Sequence, residues 1–232
     1  MSDTATHPAE GPRLRAGVLA LQGGVAEHAR MLESVGAEVT LVRRESDLRG
    51  PDGPRLDALV LPGGESGAQY RLLALLDLLE PLRDTIAAGV PTLGTCAGLI
   101  LLARDVHDPA PGQGSLGFLD VAVQRNALGS QVASSEAEFV VNAAGIEGQG
   151  DAGSVRGALI RAPRIESVGP AARVIVVHGG RILGATSQAP GAGPADAART
   201  PLGPITGISF HPELSGDPAF HRGLLAQAAA RA

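Results

Sequence analysis

Short apolar runs, each closed by a glycine-bearing turn and followed by a segment of helical periodicity, recur through the first half of this chain. That alternation admits few folds. Arg15 to Leu21 reads as an apolar strand, Gln22-Gly23-Gly24 turns it into an amphipathic helix through about Val35, and Gly36 ends the helix. Glu38 to Val42 is the next strand, a loop rich in Arg, Asp, Gly and Pro follows, and Asp57-Ala58-Leu59-Val60-Leu61 is a continuous apolar strand. The pattern returns at Val90-Pro91-Thr92-Leu93, the turn Gly94-Thr95-Cys96-Ala97-Gly98 and the helical Leu99 to Ala103. Strand, helix and strand in this order predict an α/β fold of three layers, αβα, around a mostly parallel central sheet.

The carboxyl half changes character. Leu119 to Val123, Glu138 to Val141, Ala158 to Arg161, Arg173 to Val177 and Arg181 to Ala185 are shorter strand-like pieces, expected to add antiparallel strands. Ala189 to Gly203 is rich in Ala, Gly and Pro without periodicity and reads as a mobile surface loop inside a hairpin. Ile205 to Phe210 is a final strand and Asp217 to Ala230 a final helix. Residues 1–13 are polar and Pro-containing and read as a disordered tail, leaving 14–232 as one domain with enough hydrophobic content, 44%, to bury a substantial core.

All 19 basic residues are arginine, and the absence of lysine removes several chemistries. No Schiff base can form on this chain, so it cannot hold pyridoxal phosphate or a carbonyl substrate as an internal aldimine, and it has no P-loop lysine. A net charge of -5 with one Tyr, four Phe and no Trp offers neither a basic stripe nor a stacking platform, so no nucleic-acid partner is expected. The longest strongly apolar stretch, Val90 to Ala103, is too short to span a bilayer, and Met1 to Gly11 lacks the regions of a signal peptide. No membrane partner is expected, and the cytoplasm is the expected compartment. The six histidines are not spaced as metal ligands and Cys96 is the only cysteine, so no metal site, no disulfide and no cofactor are expected.

Cys96 stands at the end of a buried strand and at the start of a helix, between small residues that let the chain reverse sharply. The positive end of that helix depresses a thiol pKa, which suits a nucleophile; a small buried apolar residue is the other reading of a lone cysteine. A thiolate attacking a carbonyl needs a base, a group to orient the base, and donors for the developing oxyanion. His211 follows the strand Ile205 to Phe210 directly, and Glu213, two residues on, falls on the same side of extended backbone, with Pro212 stiffening the pair. Pro62-Gly63-Gly64-Glu65-Ser66 follows the strand Asp57 to Leu61, and its paired glycines can bring backbone N–H groups close to a negative oxygen. In a parallel sheet all three segments end in one crevice.

The segments Gly17-Val18-Leu19-Ala20-Leu21-Gln22-Gly23, Leu61 to Ser66, Gly94 to Ala103, Arg125-Asn126, Ile160-Arg161-Ala162-Pro163 and Ser209-Phe210-His211-Pro212-Glu213-Leu214 stand in an order that resembles the glutaminase subunits of pyridoxal 5'-phosphate synthase, within the class I, triad-type glutamine amidotransferases. The resemblance runs from about residue 15 to 225. It implies a flavodoxin-like class I glutaminase fold in which Cys96 attacks the side-chain amide of L-glutamine, His211 protonates the departing ammonia and Glu213 orients His211. It further implies substrate contacts from Gly64, Glu65, Ser66, Arg125, Ile160 and Arg161, oxyanion donors at Gly63, Gly64 and Ala97, and no cofactor. The implied partner is a synthase subunit with a (β/α)8 barrel, which takes the ammonia and forms a hetero-oligomer with this chain.

Gly67 stands where the resemblance leads one to expect threonine, Ser130 where arginine is usual, and Ala133 and Ser135 replace an aspartate and an aromatic. Three alternatives remain open at this point: the same reaction serving another acceptor such as the histidine-pathway cyclase, a cysteine hydrolase acting on peptides or esters, and a non-catalytic regulatory module of the same fold.

Overall fold

The computed structural model describes residues 13–125, 135–142, 153–187 and 204–231. In chain order these form β1 (Arg15–Leu19), α1 (Val25–Ser34), β2 (Glu38–Val42), α2 (Glu45–Leu48), β3 (Arg49–Gly50), β4 (Gly53–Pro54), β5 (Ala58–Leu61), α3 (Ser66–Leu75), α4 (Leu79–Ala87), β6 (Thr92–Thr95) and α5 (Ala97–Leu102). There follow β7 (Ala103–His107), β8 (Leu119–Gln124), β9 (Ser135–Val141), β10 (Gly153–Leu159), β11 (Arg164–Val168), β12 (Ala172–His178), β13 (Arg181–Ser187), β14 (Ile205–Ile208) and α6 (Ala219–Ala229).

Strands β2, β1, β5, β6 and β14 pair in parallel in that spatial order. All residues of β5, β6 and β14 are buried; β5 is wholly apolar, while β6 and β14 also bury Thr92, Thr95 and Thr206. Side chains alternate between the two faces. Val18, Ala58 and Val60 pack with Leu32 of α1 and with Phe220 and Leu224 of α6. Leu19, Leu59 and Leu61 pack on the other face with Leu73 of α3, Leu82 of α4 and Leu99 and Leu102 of α5. Each such buried leucine contributes about 1.5–3 kcal/mol relative to exposure. Because β1 lies between β2 and β5, successive crossovers run in opposite directions from β1, and the loops after the parallel strands part into a crevice there.

Beyond β14 the sheet turns antiparallel through β13, β12, β9 and β10, while β11 branches from β13, β8 pairs with β11 and β7 pairs in parallel with β8. The expectation of added antiparallel strands in this half is met, with different bounds. The piece expected at Ala158 to Arg161 is the end of β10, and Arg161 lies outside it with φ 47°, because the chain must turn there to begin β11, a strand the sequence pattern did not announce. Helix α6 begins at Ala219 and not at Asp217: Pro218 occupies the cap position and Asp217 Oδ1 accepts the Ala219 N–H, so Asp217 closes the helix from outside. Strand β1 stops at Leu19, short of Leu21, so that Gly23, at φ 100°, can lie against the Gly63 carbonyl where a Cβ would be only 1.8 Å from its oxygen. Residues 1–12, Asn126, Ser130, Ala133 and the expected loop Ala189 to Gly203 lie outside the described residues. No helix among the described residues is long and apolar enough to cross a membrane.

Candidate active site

Cys96 occupies the single residue between β6 and α5, at φ 48° and ψ -100°, a backbone conformation that costs on the order of 1–3 kcal/mol for a residue with a side chain. The sheet holds it there: its N–H donates to the Ile208 carbonyl at 2.8 Å, continuing the β6–β14 ladder, and its carbonyl accepts the Ile100 N–H at 3.2 Å. The thiol is thereby lifted above the sheet edge, beside the unpaired first N–H groups of α5. Ala97, the first residue of α5, is itself fully buried, so only its backbone N–H is available to a ligand at Cys96.

His211 is fixed by its backbone. Its N–H donates to the Ala158 carbonyl at 2.9 Å and its carbonyl accepts the Ala158 N–H at 3.1 Å, an isolated bridge that ties the segment after β14 to the end of β10. Its Nδ1–H donates to Glu213 Oε1 at 2.7 Å, and its ring lines the same cleft as Cys96. The structure thus brings Cys96, His211 and Glu213 together. Burial disfavours the His211 imidazolium, but the neighbouring Cys96 and the hydrogen bond and charge of Glu213 outweigh it and push its pKa up to about 10. Burial likewise opposes ionisation of Glu213; the hydrogen bond from His211 and the close approach of the His28 ring prevail and hold its carboxyl well below the usual range.

His28 carries no local signal of a role in sequence. It projects from α1 with its Nε2 3.3 Å from Glu213 Oε1 and 3.0 Å from Thr95 Oγ1, and its Nδ1 2.8 Å from Nε2 of His221 on α6. All three side chains of this group, His28, Thr95 and His221, are fully buried. The one trace in the sequence is a histidine on an apolar helical face: His28, Met31 and Leu32 are the buried residues of α1.

A cleft of about 490 Å³ opens above these groups. Gln22, Gly63, Gly64, Glu65, Ser66, Arg125, Ile160 and Arg161 line it together with Cys96, His211 and Glu213. The expected substrate-contacting residues therefore all lie on its wall, and Ala97 alone among the named site residues does not. Glu65 accepts the N–H groups of Gly67 (3.0 Å) and Ala68 (2.6 Å) at the start of α3, and its Oε1 also meets Arg125 Nη2 at 3.0 Å. Opposite charges 3.0 Å apart at one end of a cleft suit a zwitterion's ammonium and carboxylate. Gln22 Oε1 accepts the Glu65 N–H at 2.8 Å, and Gln69 Nε2 ties the Gln22 and Pro62 carbonyls together at 3.0 and 3.1 Å. Gln113 Nε2 donates to Ser66 Oγ at 3.0 Å. Gln69 and Gln113 likewise escape a reading of the sequence, because long-range amide contacts leave no local spacing. At Gly67 a Cβ would stand 2.8 Å from the Ala110 Cβ, so the segment around Ala110 fills the room a threonine would need. Among the described residues no group of three or more His, Cys, Asp or Glu is disposed to hold a metal.

Comparison with known proteins gives a consistent picture. The family model described as the SNO glutamine amidotransferase family matches residues 18–228. A protein of Parafrankia sp. (strain EAN1pec) named pyridoxal 5'-phosphate synthase subunit PdxT is 46% identical over 208 residues, 90% of each chain. One of the same name from Acidothermus cellulolyticus is 43% identical over 227 residues, covering 98% of this chain and 99% of its own. Among solved structures, one titled a glutamine amidotransferase superposes with a TM-score of 0.73 at 34% identity, covering 92% of this chain and 98% of that one. A glutamine amidotransferase from Thermotoga maritima has a TM-score of 0.55 at 14% identity over 94% of this chain and 99% of its own, and shares the fold.

Proposed function

This chain belongs to the SNO glutamine amidotransferase family, and from that premise we propose that it hydrolyses L-glutamine through a thioester on Cys96 and delivers the ammonia to the barrel subunit of a pyridoxal 5'-phosphate synthase. The observation that supports this most is the convergence of Cys96, His211 and Glu213 in one cleft that the Arg125–Glu65 pair also lines.

In this reading the α-carboxylate of glutamine pairs with Arg125 and its ammonium with Glu65, while Ser66, Ile160 and Arg161 shape the channel for the side chain. The Cys96 thiolate attacks the amide carbon and the C=O electrons move to oxygen, which takes hydrogen bonds from the N–H groups of Ala97 and of Gly63 or Gly64. One oxyanion donor of this kind is worth about 3–4 kcal/mol in the transition state. His211 gives its proton to the amide nitrogen, the C–N bond breaks, and ammonia leaves a glutamyl thioester. His211, now neutral, takes a proton from water, whose oxygen attacks the thioester; glutamate departs and the thiolate–imidazolium pair is restored. Glu213 holds the ring in the one orientation that serves both steps.

Relatives named as pyridoxal 5'-phosphate synthase subunits favour that synthase over the histidine-pathway cyclase as the acceptor. The lack of lysine fits this division of labour, since imine chemistry on sugar phosphates then belongs to the partner. The test is glutamate release with and without the barrel subunit, together with product formation from pentose phosphate and glyceraldehyde 3-phosphate. The parent chain is expected to support both, and Cys96→Ala to lose glutamate release while still binding the partner. Glutamate released by Cys96→Ala at the parent rate would overturn the role of the thiol; hydrolysis without transfer would point to another acceptor.

A further inference from the structure

We propose that His28, held in one tautomer by His221, is a positioning residue for Glu213: it supplies the second anchor of the carboxylate that orients His211. The inference rests on the glutaminase reading and adds to it two buried side chains on helices α1 and α6.

The geometry leaves Glu213 little else to hold it. Both close contacts of its carboxylate fall on Oε1: a hydrogen bond from His211 Nδ1 at 2.7 Å, and the approach of His28 Nε2 to 3.3 Å, a ring that Thr95 Oγ1 holds in place through a 3.0 Å hydrogen bond. Its Oε2 is buried without a hydrogen-bond partner among the described residues. Remove His28 and the only close polar contact left to the carboxylate comes from the very ring it must orient. An anchor that moves with its load fixes nothing.

The proton count follows from which atoms can donate. An ionised carboxylate only accepts, so the proton of a neutral His28 lies on Nε2, which faces Glu213 and Thr95 Oγ1. His28 Nδ1 is then a bare acceptor, and the hydrogen on its 2.8 Å contact comes from His221 Nε2. A neutral His221 that donates from Nε2 has a bare Nδ1. That nitrogen is the one in this group that is buried without a partner, where a run of donors should end. Burial lowers the His221 pKa to about 3, which keeps the ring neutral. The groups facing His28 are thus His221 from α6, Thr95 from β6 and Glu213, with His211 and Cys96 beyond. Glu27 and Arg30 pair with each other at 3.0 Å and line an adjoining cleft that reaches Glu213.

Substitutions at His28 in the full-length chain, assayed with the barrel subunit present, test this. His28→Leu removes the donor and fills the space. Its kcat for glutamine is expected to fall about tenfold to a hundredfold, the worth of one close polar contact to a buried carboxylate, with KM moving less than about threefold. A second readout needs no turnover. Cys96 is the only cysteine, so iodoacetamide labelling against pH reports its thiolate alone, and in His28→Leu its midpoint is expected to rise by about one pH unit as the imidazolium loses its oriented counter-charge. His28→Gln places an amide N–H where Nε2 stood and is expected to recover a large part of both losses. His28→Asn, whose shorter amide stands where Nδ1 stood, is not.

A His28→Leu protein with parent kcat and parent labelling profile would overturn the proposal. If that variant fails to fold, the Gln and Asn variants decide: equal kcat and equal labelling in the two would overturn it. If the parent itself releases no glutamate with the partner present, the glutaminase reading fails, and the labelling profiles still judge His28.

Discussion

A methyl group at Gly63 should disable the site while leaving the fold and the backbone donors in place. A Cβ built there would stand 2.2 Å from Cε1 of the His211 ring and 2.9 Å from its Nδ1. To reach ordinary contact the ring must retreat by about 1.2 Å, and a misplacement of roughly that size at a reacting group costs on the order of a hundredfold in rate. His211 cannot retreat as a unit, because its N–H and carbonyl are both bonded to Ala158. The ring must rotate about its side-chain bonds, and rotation breaks the 2.7 Å bond to Glu213. Gly63 is outside the left-handed region, so alanine meets no backbone penalty and keeps its own N–H. Gly63→Ala is therefore expected to lower kcat about a hundredfold with KM for glutamine changed less than about threefold. Crowding should cost roughly 1–3 kcal/mol of stability, a fall in Tm of about 2–12 °C. Steady-state glutamate release and a thermal melt check both numbers. A variant within about threefold of the parent kcat would show that His211 is not held where the chemistry needs it, and the reasoning would fail.

The other expectations concern substrate binding and pH. Arg125→Ala removes the guanidinium that meets Glu65 at 3.0 Å, and with it the proposed partner of the substrate carboxylate; KM is expected to rise about tenfold to a hundredfold with kcat little changed, and a fall in kcat at constant KM would contradict the binding role. His221 has its pKa lowered to about 3, so the unfolded chain binds the extra proton between there and the ordinary value of 6.5. Stability should therefore fall on acidification through that window, by up to about 1.4 kcal/mol per pH unit, and urea unfolding of His221→Leu should show a shallower acid limb. Glu213, held low, loses its contribution in the same direction as acid protonates it, whereas His211, raised to about 10, contributes fully below 6.5 and loses that contribution as pH climbs toward 10. An acid limb in His221→Leu parallel to the parent would refute the first assignment.

What could be read from sequence depended on how each segment is buried. Strands β5, β6 and β14 are buried throughout, so Ala58 to Leu61 shows as an apolar run and Val90 to Leu93 and Ile205 to Phe210 show as largely apolar ones, although β6 takes in Gly94 and Thr95, which read as turn, and β14 stops at Ile208. Strand β10 exposes Ser154 and Arg156 between buried neighbours, and Arg164-Ile165-Glu166-Ser167-Val168 of β11 carries one buried side chain. Neither pattern stands out from a polar loop. Cys96 and His211 were legible because each directly follows an apolar run, and chain order then sets them at one sheet edge. His28 and His221 were not, because their 2.8 Å contact joins positions 193 residues apart and each sits on a helical face that reads as core.

The glycines around Cys96 bear on why a motif of chemistry is also a requirement of packing. A Cβ at Gly98 would lie 1.9 Å from the Leu61 carbonyl oxygen of β5, and one at Gly94 would lie 2.6 Å from the Gly98 backbone. Helix α5 therefore rests so closely on β5 and β6 that neither flanking position has room for a side chain. A chain leaving β6 and entering a helix that close has one residue in which to reverse, and that residue takes φ 48°. Cys96 bears the strain because the ladder bond to Ile208 and the helix bond from Ile100 fix the peptide on either side of it. The same reversal points its side chain away from the sheet, toward the ring that Ala158 and Glu213 hold. The placement of Cys96, the proposed nucleophile, is thus set by the close approach of a helix to two strands, and in that reading the two glycines that permit it act on the reaction without touching the substrate.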